Sequence, residues 1–347
     1  MKVSTLLSYA GGFFEAVDEV VALEASGLDT VFVPEAYGFD APSLMGFIAA
    51  RTERVRIGSG ILPIYTRTPT LLAMTAAGVD ALSHGRAMLG IGASGPQVIE
   101  GFHGVPYDAP ATRIREIIQI CRTAWKRERI VHEGRKYQVP LQEGGTGLGK
   151  PLKMITKPVR EAIPITVASL APRSVAMTAE VADGWLPTLY HPEHARRCWG
   201  QALDEGAARR DPARGRLEVF AGGTVGIGEG LEPQRERARA GIALYVGGMG
   251  ARDKNFYNDV FAGYGYEAEA KEIQDLYLSG RKEEAAAAIP QSFLDETTLI
   301  GPAGFVKERL AAYQESGVTS LNVTLLGRTL DERRRTLDGL VDLIGQL

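Results

Sequence analysis

Glycines and hydroxyl groups cluster at the ends of two apolar runs in the sequence, residues 55–61 and 87–92. The first run ends in Gly-Ser-Gly-Ile and leads to a Thr-Arg-Thr-Pro turn, and the second continues into Ala-Ser-Gly. A helix rich in small residues is predicted between them, so the segment is typical of a β-loop-α-β unit. Parallel sheets bind ligands at the carboxyl ends of their strands, and glycine lets the backbone approach a ligand closely. This segment therefore predicts a site for a planar cofactor.

The glycines at positions 90, 92 and 95 also match the dinucleotide-binding pattern G-x-G-x-x-G. In that fold the pattern opens a helix at once, and an acidic residue follows about 20 positions further on. Here Pro96 and a Gly-Phe-His-Gly-Val run interrupt it, and the expected acidic position falls inside a predicted helix over 113–125. We favour backbone amides that lie against an aromatic ring system, and a plain exit from strand to loop is the alternative.

A turn after a later predicted strand, residues 165–169, has the residue types that bind phosphate. A helix amino terminus presents free backbone N–H groups, and an arginine and two hydroxyls beside it favour an anion. The residues concerned are Ser169, Leu170, Ala171, Arg173 and Ser174. Gly184, at the start of the next predicted strand, is expected to donate a further amide. Simple capping of the helix is the alternative interpretation.

Two charged residues are predicted at the same edge of the sheet. Glu35 follows the second strand, where barrel enzymes place functional carboxylates, and it is expected to accept a hydrogen bond from a cofactor. Arg67, in the Thr-Arg-Thr-Pro turn, is expected to supply a positive charge near the ligand. The alternatives are a helix-capping or salt-bridged Glu35 and a solvated or ion-paired Arg67.

The elements that must position these residues alternate between strand and helix along nearly the whole chain. Eight strands are predicted, at 3–9, 30–34, 55–61, 87–92, 165–169, 185–188, 217–226 and 320–325, each followed by a helix. This order predicts a (β/α)8 TIM barrel in a single domain over 1–347. Insertions near 126–164 and 247–298 follow the fourth and seventh strands. A doubly wound open sheet is the alternative fold.

The composition of the 347 residues is ordinary for a globular protein, with 45% hydrophobic residues and a net charge of −3. A net negative charge does not favour binding to nucleic acid or to an anionic membrane. No apolar run approaches the ~20 residues of a membrane span. The first residues enter strand-like sequence directly, so no signal peptide is expected. Cys121 and Cys198 predict neither a disulfide framework nor a zinc site, and a reducing cytoplasm is the expected location.

Two longer runs carry a resemblance to a known family. They are TRTPTLLAMTAAGVDALSHGRAMLGIGASG and PITVASLAPRSVAMTAEVADGW, and both resemble the luciferase-like superfamily. Within it, the chain is similar to the coenzyme F420-dependent oxidoreductases, such as methylene-tetrahydromethanopterin reductase, and the run YVGGMGARDKNFYNDVFAGYGYE resembles an actinobacterial subgroup. The resemblance implies hydride transfer between carbon five of the deazaflavin and a small organic substrate, in a homodimer. Two rivals stay open, an FMN-dependent monooxygenase and a non-catalytic cofactor carrier.

The resemblance also implies roles for particular residues. A non-prolyl cis peptide between Gly60 and Ile61 is expected to back the ring. Ala93 and Ser94 match positions that meet the ring or its tail, and Glu35 matches an acidic site beside the deazaflavin. The phosphodiester tail is expected at the turn that follows the fifth strand.

Departures from the family pattern concern its alcohol-oxidising branches. Those branches place a histidine just after the acid of strand two, where this chain has Ala36, and one branch has a glutamate where residues 95–97 are Gly-Pro-Gln. A reductase of an unsaturated or carbonyl-type substrate is therefore favoured. The candidates for catalytic proton transfer are Glu35, Tyr37, Asp40, Tyr65 and His103.

The second insertion is rich in aromatic residues. These are expected to roof an apolar substrate pocket, and a satellite core or a subunit contact is the alternative. The residues are Tyr245, Met249, Phe256, Tyr257, Phe261, Tyr264 and Tyr266.

Overall fold

The amino-terminal half of the chain alternates strands and helices, as predicted. The computed structural model describes residues 1–9 and 11–347. Its first elements are β1 (Lys2–Leu6), α1 (Phe13–Ala25), β2 (Thr30–Val33), α2 (Ala41–Arg51), β3 (Arg56–Ser59), β4 (Leu62–Pro63), α3 (Pro69–Leu82), β5 (Ala87–Gly92), α4 (Pro96–Gly101) and α5 (Pro110–Trp125). An antiparallel hairpin of β6 (His132–Glu133) and β7 (Gln138–Val139) follows in the first insertion.

The carboxyl-terminal half continues the alternation and adds a helical insertion before its last strand. Its first elements are β8 (Ile165–Ala168), α6 (Pro172–Val181), β9 (Gly184–Trp185), α7 (Ala195–Arg209), β10 (Glu218–Ala221), β11 (Thr224–Ile227) and α8 (Glu232–Ala243), which a π-helical turn (Leu244–Gly248) extends. The remaining elements are α9 (Phe256–Gly263), α10 (Glu267–Leu278), α11 (Lys282–Ala287), α12 (Gln291–Thr297), β12 (Leu299–Gly301), α13 (Ala303–Glu315), β13 (Ser320–Leu325) and α14 (Leu330–Ile344). None of the helices in the described ranges has the length and apolar character that a bilayer span requires.

Pairing of the first strand with the last closes the sheet into a barrel. β1 pairs in parallel with β2, where Ser4 lies opposite Thr30, and with β13, where Lys2 lies opposite Ser320. The order around the barrel is β1-β2-β3-β5-β8-β9-β10-β13. On the outside, neighbouring helices pack against each other, and α14 returns to α1. The structure is the predicted (β/α)8 barrel, so the open, doubly wound sheet is excluded.

The seventh barrel strand differs from its prediction. Gly222 and Gly223 divide it into β10 and β11, and both parts pair with β13. β11 also pairs with β12, a strand that the sequence did not predict. β12 has three residues, which is too short for a recognisable period-2 pattern.

The glycine run at 90–95 is followed by a short helix rather than by an irregular segment. α4 begins at Pro96, so the expectation that no helix opens directly after these glycines was wrong. α4 has only six residues, and proline at its first position favours a helix start. The closed barrel, rather than the sequence that follows the glycines, is what excludes the dinucleotide fold.

Asp80, on α3, is a buried acid that joins three parts of the barrel wall. Its side chain is fully buried, and it accepts hydrogen bonds from Arg160 Nε at 3.2 Å and from the Ala87 amide at 3.2 Å. Arg160, from the first insertion, also donates to the Ala87 carbonyl at 2.7 Å. Removal of Asp80 therefore leaves the Arg160 guanidinium without its ion-pair partner and the first amide of β5 without an acceptor.

We expect Asp80→Ala to lower the free energy of unfolding by about 3 kcal/mol or more, because it breaks a buried ion pair from one side. Urea unfolding followed by circular dichroism measures the loss. Asp204→Ala is the matched control, since Asp204 pairs with Arg196 on the surface, where their side chains are 65% and 68% exposed. Such a pair contributes about 0–1 kcal/mol. Equal losses in the two variants would contradict the structural role of Asp80.

Candidate active site

A cavity of about 410 Å³ opens at the carboxyl end of the barrel strands. Its wall includes Leu6 at the end of β1, Ala168 at the end of β8, and Gly222 and Gly223 after β10, while α8 and α12 close one side. None of the described residues that line the cavity carries a charge at neutral pH, so the lining favours an uncharged, largely apolar ligand. Its volume falls in the range of about 300–1,000 Å³ that is typical of cofactor and substrate pockets.

The third strand breaks at the wall of this cavity. β3 ends at Ser59, β4 resumes at Leu62, and the peptide between Gly60 and Ile61 is cis. The Gly60 amide donates to the Val33 carbonyl at 2.8 Å. The bulge that the family resemblance implied is therefore present, and both of its residues line the cavity.

Close packing holds this bulge in place. A Cβ on Gly60 would lie 2.8 Å from both Leu6 Cδ1 and Phe32 Cβ. Gly90, on β5, is so near that a Cβ there would overlap the carbonyl oxygen of Ser59. The Ser59 hydroxyl donates to the Gly90 carbonyl at 2.7 Å and accepts from the Gly90 amide at 2.9 Å. The end of β3 is thus fixed against β5.

Glu35 and Arg67 pair with each other across the loops that follow β2 and β4. The guanidinium of Arg67 donates to both carboxylate oxygens of Glu35, with Nη2 2.9 Å from Oε2. The Ala41 amide also donates to Oε2, at 2.8 Å, so Glu35 supports the start of α2. Both side chains are largely buried, and neither lines the cavity. The salt-bridged, helix-capping alternative describes Glu35, and the predicted catalytic and cofactor-binding roles gain no support from this geometry.

The other candidates for proton transfer also lie outside the cavity lining. Tyr37 is 68% exposed, and its ring centroid lies 6.0 Å from that of Phe102. His103 packs edge-on against the same ring, and its buried Nε2 has no hydrogen-bond partner among residues 1–9 and 11–347. The Tyr65 hydroxyl donates to a backbone carbonyl, and Asp40 caps α2. These residues surround the barrel mouth rather than the cavity, so their catalytic roles stay predictions.

The turn before α6 keeps most of the predicted anion-binding features. No side chain caps the amino terminus of α6, and Arg173 in its first turn is exposed, with no ion pair to any residue the structure describes. The turn is held by two buried indoles. Trp185 Nε1 donates to the Ser169 carbonyl at 2.9 Å, and Trp199 Nε1 donates to the Leu170 carbonyl at 2.7 Å. The backbone of the turn is therefore fixed before any ligand arrives.

The two hydroxyls of this turn differ in their availability. The Ser169 hydroxyl is buried and shares a 2.9 Å hydrogen bond with the hydroxyl of Thr178. The Ser174 amide donates to the Ala171 carbonyl at 2.9 Å, whereas the Ser174 hydroxyl has no partner within the described chain. Ser174 is therefore the hydroxyl that an anion at this turn can reach.

Gly184 lies at the other end of the barrel from this turn. It pairs with Thr166 and Glu218, near the starts of β8 and β10. A Cβ on Gly184 would meet the ring of Phe220 at 2.9 Å, so close packing inside the barrel explains the glycine. Its predicted placement beside the anion site was wrong, because Gly184 stands at the amino end of its strand.

Ala93 and Ser94 lie where β5 leaves the sheet at the mouth. The end of β5 pairs with β4, directly beyond the bulge. Ser94 adopts a left-handed conformation with φ 58°, which turns the chain into α4. Neither residue lines the cavity, so contact with a ring or its tail stays a prediction.

Besides Tyr190, three tyrosines from distant parts of the chain line the cavity: Tyr9 after β1, Tyr245 in the π-helical turn and Tyr257 in α9. The rings of Tyr245 and Tyr257 lie 4.9 Å apart at an angle of 74°. Burial raises the pKa of both phenols, and the nearby hydroxyls of Tyr245 and Tyr9 raise that of Tyr257 further. None of the three hydroxyls has a hydrogen-bond partner within the described ranges. The cavity thus holds neutral phenols that can donate to a ligand.

Only part of the predicted aromatic roof faces the cavity. Tyr245 and Tyr257 line it, as expected. The rings of three further residues instead pack around Phe293 as part of the main hydrophobic core: Phe261, Tyr264 and Tyr266. The sequence did not single out Tyr9, although an aromatic residue directly after a barrel strand is a usable signal.

Comparison with known proteins identifies the class. The luciferase-like monooxygenase family matches residues 1–320, and the chain belongs to this family. A protein of Mycobacterium tuberculosis that bears the provisional name coenzyme F420-dependent oxidoreductase is 43% identical over 334 residues, which cover 93% of this chain and 95% of that protein. A 5,10-methylenetetrahydromethanopterin reductase of Archaeoglobus fulgidus is 24% identical over 316 residues and 89% of each chain.

A solved structure supports the same architecture. The coenzyme F420-dependent tetrahydromethanopterin reductase of Methanopyrus kandleri matches 97% of each chain with a TM-score of 0.79 and 19% identity. At this identity the likeness concerns the fold, and it confirms the barrel.

Proposed function

We propose that the chain is a coenzyme F420-dependent oxidoreductase that transfers hydride between the deazaflavin and a small, uncharged organic substrate. The observation that carries the proposal is an uncharged cavity whose wall includes the break between β3 and β4 at Gly60 and Ile61. The name of the 43% identical relative supports the choice of cofactor. A homodimer belongs to the same proposal and rests on the family resemblance, and a cytoplasmic location rests on the cysteine content of the sequence.

The residues at the mouth fit a flat ring with an anionic tail. The apolar lining and the position of Gly60 and Ile61 in the cavity wall suit the face of a ring. Arg173 and Ser174, whose side chains have no partner among the described residues, lie at the start of α6 and suit the phosphodiester. When bound, the coenzyme supplies or accepts the hydride at carbon five of its ring. The chain positions the ring, shields it from water and holds the proton that the substrate needs.

Tyr9, Tyr245 and Tyr257 are the groups that we assign to the proton. Among the described residues that line the cavity, the titratable side chains are these three tyrosines and Tyr190. The Tyr190 hydroxyl is already hydrogen-bonded to Ser316, so it is not assigned to the proton. A phenol whose pKa is raised stays protonated at neutral pH and donates a hydrogen bond to a carbonyl oxygen. A phosphorylated or carboxylated substrate finds no cation in this lining, so we favour ketones and enones.

We expect Arg173→Ala to weaken F420 binding by about 5- to 30-fold, which corresponds to about 1–2 kcal/mol for a charge-assisted hydrogen bond at an exposed site. The loss is expected to shrink at high ionic strength, because salt screens an exposed charge. Fluorescence titration with F420 at two salt concentrations measures both effects. Arg216→Ala is the control, since Arg216 is exposed just before β10 at the opposite end of the barrel. An unchanged dissociation constant for Arg173→Ala would contradict the binding of the F420 phosphodiester at this turn.

Parallel titrations with F420 and FMN test the proposed function itself. Saturable quenching of F420 fluorescence, no binding of FMN, and oxidation of reduced F420 by a ketone or enone support the proposal. Oxygen uptake with reduced FMN supports the FMN-dependent monooxygenase instead. Tight binding of F420 without turnover across a broad substrate panel supports a cofactor carrier.

A further inference from the structure

Two histidines and a glutamate meet behind the wall of the cavity. His191 and His194 lie in the segment between β9 and α7, and Glu296 lies on α12. One ring nitrogen of each histidine and one carboxylate oxygen of Glu296 all lie within 4.8 Å of one another. No metal site is predicted here from sequence, because the histidines and the glutamate are far apart in the chain.

The geometry of His191 is unusual for a hydrogen-bonded histidine. The side chain is fully buried, and its Nε2 lies 2.9 Å from Glu296 Oε2. Even so, neither ring nitrogen makes a hydrogen bond of acceptable direction to any described residue. His191 Nε2 and Glu296 Oε2 are close together, but their directions do not suit a hydrogen bond. This is the arrangement expected of two ligands that point at a shared metal ion. A buried polar ring with no aligned partner is costly unless such an atom satisfies it.

A second carboxylate supports this arrangement from behind. Glu193 Oε2 lies 3.4 Å from Nδ1, the other ring nitrogen of His191. Arg309 holds Glu193 through an ion pair and donates to the Glu296 carbonyl at 2.8 Å. In metal sites a carboxylate on the far nitrogen commonly orients the ligating imidazole. Glu193 lies on that side of the ring, and a small rotation would align its hydrogen bond to Nδ1, which leaves Glu296 as the ligating carboxylate.

We propose that His191, His194 and Glu296 bind one divalent transition metal, with zinc as the best match. Two imidazoles and one carboxylate are a common donor set for zinc, whereas calcium and magnesium take oxygen ligands. Ligand atoms about 2.0–2.2 Å from zinc lie roughly 3.3–3.6 Å from each other in a tetrahedron. His194 and Glu296 are partly exposed, so their side chains can rotate to close the remaining gap, and water can fill the fourth position.

The position of the site gives the metal a structural consequence. Tyr190 and Thr297, the immediate neighbours of His191 and Glu296, both line the cavity. A bound metal therefore joins the β9–α7 segment to α12 and fixes two walls of the cavity relative to each other. The ion has no redox role, and its binding does not depend on which coenzyme the cavity takes.

Zinc binding by the full chain tests the site. Protein stripped with a chelator and dialysed is titrated with zinc sulfate by calorimetry, and bound metal is counted by elemental analysis. We expect one zinc per chain and a rise in Tm on binding. His194→Ala and Glu296→Gln are expected to weaken zinc binding at least 100-fold, while their circular dichroism spectra stay those of the parent protein. Cobalt is expected to give the visible absorption of a tetrahedral site, and the variants are expected to lose it.

His84→Asn is the matched control. His84 is exposed at the end of α3 with φ 53°, a conformation that asparagine also adopts. Its replacement is expected to leave zinc binding unchanged. Stoichiometric binding that survives in the double variant His194→Ala/Glu296→Gln, or no binding by the parent protein, overturns the proposal. If the parent protein binds no zinc, His191 is a buried ion-pair partner of Glu193 and Glu296.

Discussion

Replacing Tyr257 with phenylalanine is expected to lower kcat by about 10²- to 10⁴-fold, the contribution of a positioned general acid. The change removes one hydroxyl and keeps the ring that packs against Tyr245. The KM for F420 is expected to stay within about twofold, because the tail is bound elsewhere. Steady-state rates with reduced F420 and a ketone or enone that shows turnover measure the effect.

Tyr37→Phe is the matched control for Tyr257→Phe. The sequence predicts Tyr37 as a proton donor, but its side chain is exposed at the rim and does not line the cavity. Its replacement is expected to leave kcat nearly unchanged. A spectrophotometric titration gives an independent readout, since Tyr257→Phe is expected to remove one phenol whose pKa lies above the ordinary value near 10. A large loss of kcat in Tyr37→Phe with none in Tyr257→Phe would show that the proton donor is Tyr37 at the rim and not Tyr257.

Gly241→Trp is expected to abolish turnover, by at least about 100-fold, while the protein stays folded. Gly241 lies on α8 and lines the cavity, and a Cβ built there meets no atom within 4 Å. Gly241 is exposed, so an indole at this position fits at the edge of the cavity without displacing packed neighbours and is expected to block the entry of substrate. Loss of a helical glycine is itself stabilising by about 0.5–1 kcal/mol. Thermal unfolding and steady-state kinetics on the same preparation separate blockage from misfolding.

Two further variants control for the size and the position of this change. Gly241→Ala is expected to raise Tm slightly and to retain activity. Gly304→Trp places the same ring on α13, at an exposed glycine whose Cβ also meets no atom within 4 Å and which does not line the cavity. It is expected to retain wild-type kinetics. Normal turnover by Gly241→Trp would show that the substrate binds outside this cavity.

The barrel could be predicted from sequence because its signals are local. Each strand is a short apolar run between turn residues, and the helix that begins at Pro69 has Thr68 as its cap, with the side chain 3.2 Å from the Leu71 amide. The break after β3 was also predictable, since two glycines in a buried strand are typical of a bulge or of a close backbone neighbour. β12 was missed because three residues carry no period, and it forms only because β11 offers an unpaired edge.

The composition of the cavity could not be predicted in the same way, because it depends on contacts between distant parts of the chain. Tyr9 and Tyr257 become neighbours only when the barrel closes and the second insertion folds over it. Glu35 carries the residue type of a catalytic acid, and its partner Arg67 lies beyond the next strand, so sequence left both interpretations open. Gly184 was misplaced although it starts its predicted strand, because the start of a parallel barrel strand lies away from the mouth.

A crystal structure of the protein with F420 bound tests the central claim most directly. The expected result is a deazaflavin ring against the backbone of Gly60 and Ile61, a phosphodiester beside Arg173, and free volume between the ring and Tyr257. A ring bound elsewhere, or a Gly60–Ile61 wall that contacts no part of the coenzyme, would contradict it.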